Sequence, residues 1–452
     1  MTKKIFKKII AYIILVEAKL VLKKYKPKII AVTGSVGKTT SKDAIYAALS
    51  QFYFIRKSLK TLNTDIGVPL TIIGCPNGWS NPFVWMKNIL EGIALIILPN
   101  VYPKWLVLEI GIDKPGDMEY ITSWLKPDIV VLTRLSKVPV HVEFFSSPQA
   151  VMEEKGKLVK AVKPNGVVIL NADDEDVLAF RGVTKARTIL FSADTDHDTN
   201  HGADLVASNY AVTYEEKAGE QVPTGITFRL DYDSTSIPVT IYGSLGHQYV
   251  YTCLAALSVG VSQGLNLVKL ASALSSYETP PGRMKILEGI KNSILIDDTY
   301  NSSPVALASA LDALADLKSG RKIAVLGDML ELGKYSTEEH RTAGARVAEV
   351  ADVLITIGVR ARFFAEGALG VGGGGEARAT HAKKMKEKNI IKFEDSKQAK
   401  EFLKKFIKKG DIVLLKGSQS MRVERVTEGL LAHPEYSVDL LVRQDKDWLK
   451  RQ

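Results

Sequence analysis

Apolar residues along this chain follow two alternating patterns. Short, dense apolar runs lie at 28–32, 106–110, 129–133 and 167–170, and between them apolar residues return every three or four positions. Dense runs are strands buried on both faces, and their alternation with helical spacing predicts a parallel sheet covered by helices. The helix after the first strand is expected at 41–49. From about 204 to 246 the pattern changes: 226–230 and 237–241 read as short strands around turns, a β-rich extension, followed by an alanine-rich helix at 254–260. Pro280-Pro281-Gly282 is the clearest linker. Beyond it the alternation resumes with parallel strands at 293–296, 322–326, 353–357 and 412–415, and a glycine-rich surface loop is expected at 367–375. The expected domains are a leader at 1–27, a central α/β domain at 28–280 and a second α/β domain at 281–452, each long enough for its own core.

Charge sharpens the picture of the leader. The chain carries +10 over 452 residues, with 46% hydrophobic and 24% charged residues, ordinary values for a globular protein. Residues 1–28 hold nine lysines against Glu17 alone, so the leader accounts for +8. That excess sits among isoleucines and leucines rather than interleaved base-stacking aromatics, and no nucleic-acid partner is expected. A second lysine-rich stretch, 383–409, contains interspersed acids and reads as solvated helix faces. Cys75 and Cys253 are the only cysteines, which fits a reducing cytoplasm. The apolar run 9–16 is interrupted by Glu17 and Lys19, well short of the ~20 residues that span a bilayer. The leader is therefore a helix that is either buried against the protein or laid on a membrane surface. The apolar segment 93–98, ending at Pro99, poses the same alternative: two helices packed on each other, or peripheral membrane contact.

Thr33-Gly34-Ser35-Val36-Gly37-Lys38-Thr39-Thr40 follows the first strand directly. A buried strand, a glycine turn and Lys-Thr-Thr opening a helix aim backbone N–H groups and a helix N-terminus at one spot, which suits a polyphosphate. Lys38 can reach β- and γ-phosphates, and the Thr39 hydroxyl can ligate Mg²⁺. Val32 stands where the eight-residue P-loop pattern has glycine, so this is a shorter variant.

Further motifs extend the match. The ATP loop, Asn63-Thr64-Asp65-Ile66-Gly67-Val68-Pro69-Leu70, Glu109-Ile110-Gly111, Asn171-Ala172-Asp173-Asp174 and Gly282-Arg283-Met284 resemble the Mur ligases, the ATP-dependent amide-forming enzymes of peptidoglycan assembly. Asp297-Asp298-Thr299-Tyr300-Asn301-Ser302-Ser303-Pro304, Gly327-Asp328-Met329-Leu330-Glu331-Leu332-Gly333 and Lys416-Gly417-Ser418 are similar to the branch that adds D-alanyl-D-alanine to a UDP-muramoyl-tripeptide. The resemblance spans residues 28 to about 428. It implies an α/β fold with a P-loop-type central ATPase domain, the β-rich extension, and a C-terminal Rossmann-like α/β domain. It departs from the family in two places. About 27 residues precede the first strand, where that branch carries a uridine-binding domain. Gly246-His247-Gln248-Tyr249, with Thr252 beyond, stands where the family has Gly-x-His-Asn and a second Asn.

The resemblance also implies the chemistry. A substrate carboxylate attacks the γ-phosphorus of ATP, and an incoming amine then displaces phosphate from the acyl phosphate. Thr33, Gly34, Ser35, Val36, Gly37, Lys38, Thr39 and Thr40 would cradle ATP, with Arg283 on phosphate, Asp298 on ribose, and Tyr300 and Asn301 nearby. Two Mg²⁺ ions would be held by Thr39, Glu109, His141 and Lys155, the last as its N-carbamate. Read alone, Glu109 is a strand-end acid, His141 a loop histidine and Lys155 a solvated helix residue. Asn63, Asp328, Glu331 and Lys416, with His340 in the same stretch, are candidates for the cell-wall precursor and the dipeptide. The expected function is that ligation, in the cytoplasm or at the inner face of the membrane. The alternatives are a related ligase for a lipid-linked, pseudomurein-type or polyglutamate substrate, and a membrane-surface ATPase switch that makes no bond.

Overall fold

The computed structural model describes residues 2–59, 62–79, 81–196, 199–217, 219–318, 320–371, 383–445 and 448, with side chains from residue 8 onward. The first sheet contains β1 (Lys28–Thr33), β2 (Ile55–Lys57), β3 (Trp105–Glu109), β4 (Ile129–Leu132), β5 (Val167–Asn171), β6 (Arg187–Ser192), β7 (Leu205–Lys217), β8 (Glu220–Tyr232) and β9 (Thr235–Tyr242). Their order is β2-β3-β1-β4-β5-β6-β7-β8-β9. Pairing is parallel as far as β7, and β8 and β9 then continue the same sheet antiparallel. The β-rich extension thus prolongs the sheet rather than forming a separate layer. The strands buried in the middle are the apolar runs of the sequence, since both of their faces are covered.

The second sheet contains β10 (Lys285–Gly289), β11 (Ser293–Asp298), β12 (Lys322–Gly327), β13 (Val353–Ile357), β14 (Ile390–Phe393) and β15 (Ile412–Lys416). Its order is β10-β11-β15-β12-β13-β14, parallel except for β10. This is the doubly wound, Rossmann-like arrangement, in which ligands bind beyond the carboxyl ends of the strands.

Helices α1 (Thr2–Tyr25), α2 (Lys38–Leu49), α3 (Gly67–Ile73), α4 (Pro82–Ile97), α5 (Asp117–Trp124) and α6 (Pro148–Lys160) belong to the first half. On one face of the first sheet α2 packs against the helix Gln248–Ser262, and this core runs on without a break to Ile296, Leu307 and Leu311 beneath the second sheet. The opposite face is covered by α1 and α3 to α6. The leader helix buries Ile10, Ile14, Ala18 and Val21 in that second core, each side chain larger than alanine contributing about 2 kcal/mol relative to exposure. Lys24 Nζ donates to the carbonyls of Leu95, Ile96 and Leu98 at 2.7–3.0 Å, capping the C-terminus of α4. The two apolar segments therefore pack on each other. Among the described residues no helix is long and apolar enough to cross a membrane.

Other expectations change in detail. The alanine-rich helix is longer, Gln248–Ser262, and Gly367 lies inside the helix Arg362–Ala368 rather than in a loop. Residues 372–375 of the expected glycine loop lie outside the described residues. The helix Pro304–Ala315 is capped by Ser303, whose Oγ accepts from Ala306 N.

Candidate active site

Strand register assembles the first half of the site. Val32 of β1 pairs with Glu109 of β3, so the turn after β1 and the Glu109 carboxylate emerge side by side at the carboxyl edge. The turn is shaped by its glycines. Gly34 has φ +148°, and a Cβ there would fall on Thr133 Oγ1, which donates to Thr33 O and Val36 O. Gly37 has φ +85° and leaves the N-terminus of α2 with no side-chain cap, its first N–H groups open to an anion. Lys38 Nζ reaches back to the carbonyls of Gly34 (2.9 Å) and Ser35 (3.4 Å). Burial pushes its pKa down, while Glu109 opposes the shift. Thr33 is fully buried and spends its hydroxyl on Ile110 O, and Thr40 Oγ1 bonds to Gly37 O and lies 3.2 Å from Thr252 Oγ1. Those hydroxyls hold the loop, and Ser35 to Thr40 are the part that lines the cavity.

Glu109 is the focus of this edge. It is 3% exposed; its Oε1 accepts from Thr39 Oγ1 (3.1 Å) and Asn63 Nδ2 (3.2 Å), and its backbone N–H donates to Ser58 Oγ. Its Oε2 has no hydrogen-bond partner and lies 3.7 Å from the buried Lys42 ammonium. A hydroxyl beside a carboxylate with an unsatisfied oxygen is a hard, oxygen-donor set that fits Mg²⁺ sharing phosphate oxygens. Among the described residues there is no group of three or more His, Cys, Asp or Glu side chains placed to enclose a metal without substrate.

Lys155, on α6, is 6% exposed rather than solvated. Its Nζ donates to Ser35 Oγ at 2.9 Å, bringing it under the loop from behind. Burial, reinforced by repulsion from Lys38, pushes its pKa well down, so the neutral amine is accessible. His141 follows β4 and has φ +71°, with Nδ1 2.9 Å from Glu331 Oε2 of the second half. That contact holds the Glu331 carboxyl below its usual range.

On the second sheet, register sets Asp298 of β11 against Lys416 of β15. Lys416 is 2% exposed and donates to Asp298 Oδ2 and Asn301 O. Burial lowers its pKa, with Asp298 opposing. Its ammonium is thus spent on positioning Asp298. Asp298 Oδ1 also accepts from Met284 N, and the Arg283 guanidinium lies 4.0 Å from the centre of the Tyr300 ring. Two residues of the branch-like stretch turn away from the site. The buried Asp328 carboxylate accepts from Ala361 N, starting the next helix, and the fully buried His340 accepts from Met329 N through Nε2. Neither lines the cavity, because each is consumed in holding the loop that carries Glu331.

The two edges enclose a cavity of about 660 Å³. Lys38, Thr39, Asn63, Glu109 and His141 line it from the first half, and Arg283, Asp298, Tyr300, Asn301, Glu331 and Lys416 from the second. Gln248 and Tyr249, in the segment where the chain departs from the family's Gly-x-His-Asn, also line it, as do Gln419 and Trp448, which had no motif to mark them; the Gln248 Oε1 is buried without a hydrogen-bond partner.

Comparison with known proteins gives this geometry a context. The Mur ligase middle-domain model matches residues 32–84 and 94–260, and the Mur ligase glutamate ligase domain matches 282–419. The chain is 26% identical over 419 residues to the UDP-N-acetylmuramoyl-tripeptide–D-alanyl-D-alanine ligase of Bacillus subtilis, covering 92% of this chain and 79% of that protein. It is 28% identical to the ligase of the same name from Mycobacterium tuberculosis, covering 89% and 73%. Among solved structures, MurF ligase from Thermotoga maritima in complex with ADP matches with a TM-score of 0.73 at 26% identity, covering 93% of this chain and 83% of that one. A pseudomurein peptide ligase type C from Methanothermus fervidus shares the fold at 18% identity, with a TM-score of 0.60 and coverage of 89% and 79%.

Proposed function

The chain belongs to the Mur ligase family, and on that footing we propose that it is an ATP-dependent peptide ligase joining D-alanyl-D-alanine to a UDP-muramoyl-tripeptide. The observation that carries this reading is the opposition of two strand edges. Lys38, Thr39 and Glu109 stand on one, with Arg283, Asp298 and Lys416 on the other, across one cavity.

In this reading Lys38 and the open N-terminus of α2 hold the β- and γ-phosphates of ATP, and Arg283 adds charge from the second half. Asp298, fixed by Lys416, takes the ribose, beside Tyr300 and Asn301. An oxygen of the tripeptide carboxylate attacks the γ-phosphorus and ADP leaves. The dipeptide amine then attacks the acyl carbon, phosphate leaves with the bonding pair, and the surplus amine proton passes to solvent. Bringing anions together dominates the barrier, so positioning and charge neutralisation carry the catalysis. Thr39 and Glu109 would hold one Mg²⁺, and His141 with the N-carbamate of Lys155 a second. These ions would neutralise phosphate oxygens. The carbamate forms when the neutral Lys155 amine adds to CO₂ and loses a proton to water. Asn63 lies on the tripeptide side, and Glu331 is the acid available to the dipeptide ammonium. Closure between the halves excludes water from the acyl phosphate. The enzyme works in the cytoplasm, at the inner face of the membrane.

The test is phosphate release from ATP with Mg²⁺ and bicarbonate, in the presence of UDP-muramoyl-tripeptide, with and without D-alanyl-D-alanine. Release that needs both substrates and yields the pentapeptide by mass supports the assignment. Release that ignores both removes it, and a lipid-linked acceptor becomes the next substrate to try.

A further inference from the structure

Helices α1 and α4 lie side by side over the same core, and each buries one face there. Their outer faces carry a feature the catalytic reading does not use. On α1, Ile9 (53% exposed), Tyr12 (68%), Val16 and Leu20 recur every three or four residues, forming one stripe. On α4, Phe83 (74%), Met86, Leu90, Ile93 and Ile97 (71%) form a second stripe with the same spacing. Trp79, just before α4, and Val101, just after it, are exposed as well. Isolated exposed apolar residues are ordinary, but two contiguous stripes on neighbouring helices are not.

Charge identifies what covers them. Lys8, Lys19 and Lys23 are exposed on α1 beside its stripe, and the sequence adds Lys3, Lys4 and Lys7 at the same end. The one acid of the leader, Glu17, points inward and is buried. Apolar residues bordered by lysines, with tyrosine and tryptophan among them, suit the boundary between anionic headgroups and acyl chains. The family match begins at residue 32, beyond α1, and skips 85–93, the middle of α4 that carries Met86, Leu90 and Ile93.

We propose that α1 and α4 together form a docking face for an anionic lipid bilayer, lying in the headgroup region without spanning it. This rests on the membrane-facing part of the functional reading and not on the ligase chemistry, so failure of one leaves the other standing. The consequence is a cleft held close to substrates or products that are carried on lipid.

The experiment is co-sedimentation of the full chain with vesicles of phosphatidylcholine alone and of phosphatidylcholine with phosphatidylglycerol. Binding to the anionic vesicles should exceed binding to the neutral ones by at least about tenfold and weaken in high salt. Trp79 fluorescence should shift to the blue on binding, and Trp79→Phe should lose much of that shift. Val16→Ser with Leu90→Ser, and separately Phe83→Ser with Ile97→Ser, should reduce binding about tenfold or more while melting temperature and ATP turnover in solution stay unchanged. Lys8→Gln with Lys23→Gln should reduce binding to anionic vesicles only. The proposal is overturned if the chain stays in the supernatant with both vesicle types, or if binding ignores the stripe variants. It is equally overturned if the chain is a dimer in solution that these variants dissolve without any vesicle binding, since the face would then be a self-interface.

Discussion

His141 and Glu331 meet across the cleft between the two sheets, Nδ1 to Oε2 at 2.9 Å, and both hold a left-handed backbone, with φ of 71° and 64°. Non-glycine residues adopt that conformation at a cost, and the cost is tolerated where surrounding structure fixes it. Here one residue follows β4 of the first sheet and the other sits on the loop fixed by Asp328 and His340, so their contact joins the halves. Glu331→Ala should lower kcat/KM at least about tenfold, by loosening closure and by removing the acid assigned to the dipeptide ammonium, and small-angle scattering, which reads closure alone, should show a larger radius. Both side chains are partly exposed, so the loss of global stability should stay below about 1 kcal/mol. Because the contact lowers the Glu331 pKa, it is fully present above the ordinary carboxylate pKa and is lost as pH falls through the lowered one. Cleft opening should therefore begin only in acid.

Lys155 gives the sharpest test of the metal chemistry. Its lowered pKa means that the amine, the form that adds CO₂, is populated without strong alkali. Lys155→Ala should cost about 10²–10³ in kcat, comparable to removing another preorganised charge from a site. Added acetate should restore part of that loss, because a free carboxylate replaces the carbamate. Carbon-13 bicarbonate should give a carbamate signal in the wild type and none in the variant. Restoration by acetate would be absent if Lys155 served only to support Ser35.

Where the sequence speaks plainly, the physical reason is local. The turn 33–40 declares itself because its glycines and lysine are needed by one loop, and β1, β3, β4 and β5 declare themselves because burial on both faces demands unbroken apolar runs. Strands β2, β10 and β14 carry only partly buried or mixed side chains at sheet margins, so their runs are weaker. The surroundings of Lys155 are set by tertiary packing: its neighbours Lys157 and Lys160 make α6 look solvated, yet the turn of the helix drives Lys155 under the ATP loop. Asp328 misleads in the opposite direction. An acid after a strand resembles a ligand-binding residue, but its backbone neighbour Ala361 arrives from 33 positions away to take the carboxylate. Gln248 stands where the chain departs from the family's motif, so the resemblance gave it no role, and Gln419 and Trp448 line the cavity without any charge or pattern that a sequence could show.

Glu109→Gln separates the roles of that carboxylate. The amide can still accept from Thr39, so the fold around the loop should persist, and Asp43, 3.4 Å from Lys42, retains a counter-charge for the buried ammonium. Stability should drop by about 1–3 kcal/mol in chemical denaturation, since the lost charge also faced Lys42. The Mg²⁺ concentration needed for half-maximal ATP turnover should rise at least about tenfold. An unchanged Mg²⁺ requirement would remove Glu109 from the metal site and leave it a structural acid.

Glu17 makes the seat of the leader helix dependent on pH. Its carboxyl is buried between α1 and α4, one oxygen lacks a partner, and burial raises its pKa to about 7. Gly92 makes room for it, since a Cβ there would fall on the carboxyl group. Cys75 and Glu91 lie nearby, the thiol donating to Glu91 at 3.1 Å, and among the described residues no cation forms an ion pair with Glu17. The sign follows from the raised value: the folded chain holds this proton more tightly than the unfolded chain. The resulting stabilisation is complete below the ordinary glutamate pKa and is lost as pH rises through about 7. The full span is worth about 3 kcal/mol. Glu17→Gln should therefore melt well above the wild type at pH 8 and close to it at pH 5. Coinciding melting curves at pH 8 would mean that the carboxyl is already solvated in the folded protein, and that α1 is anchored by Ile10, Ile14 and Val21 without regard to pH.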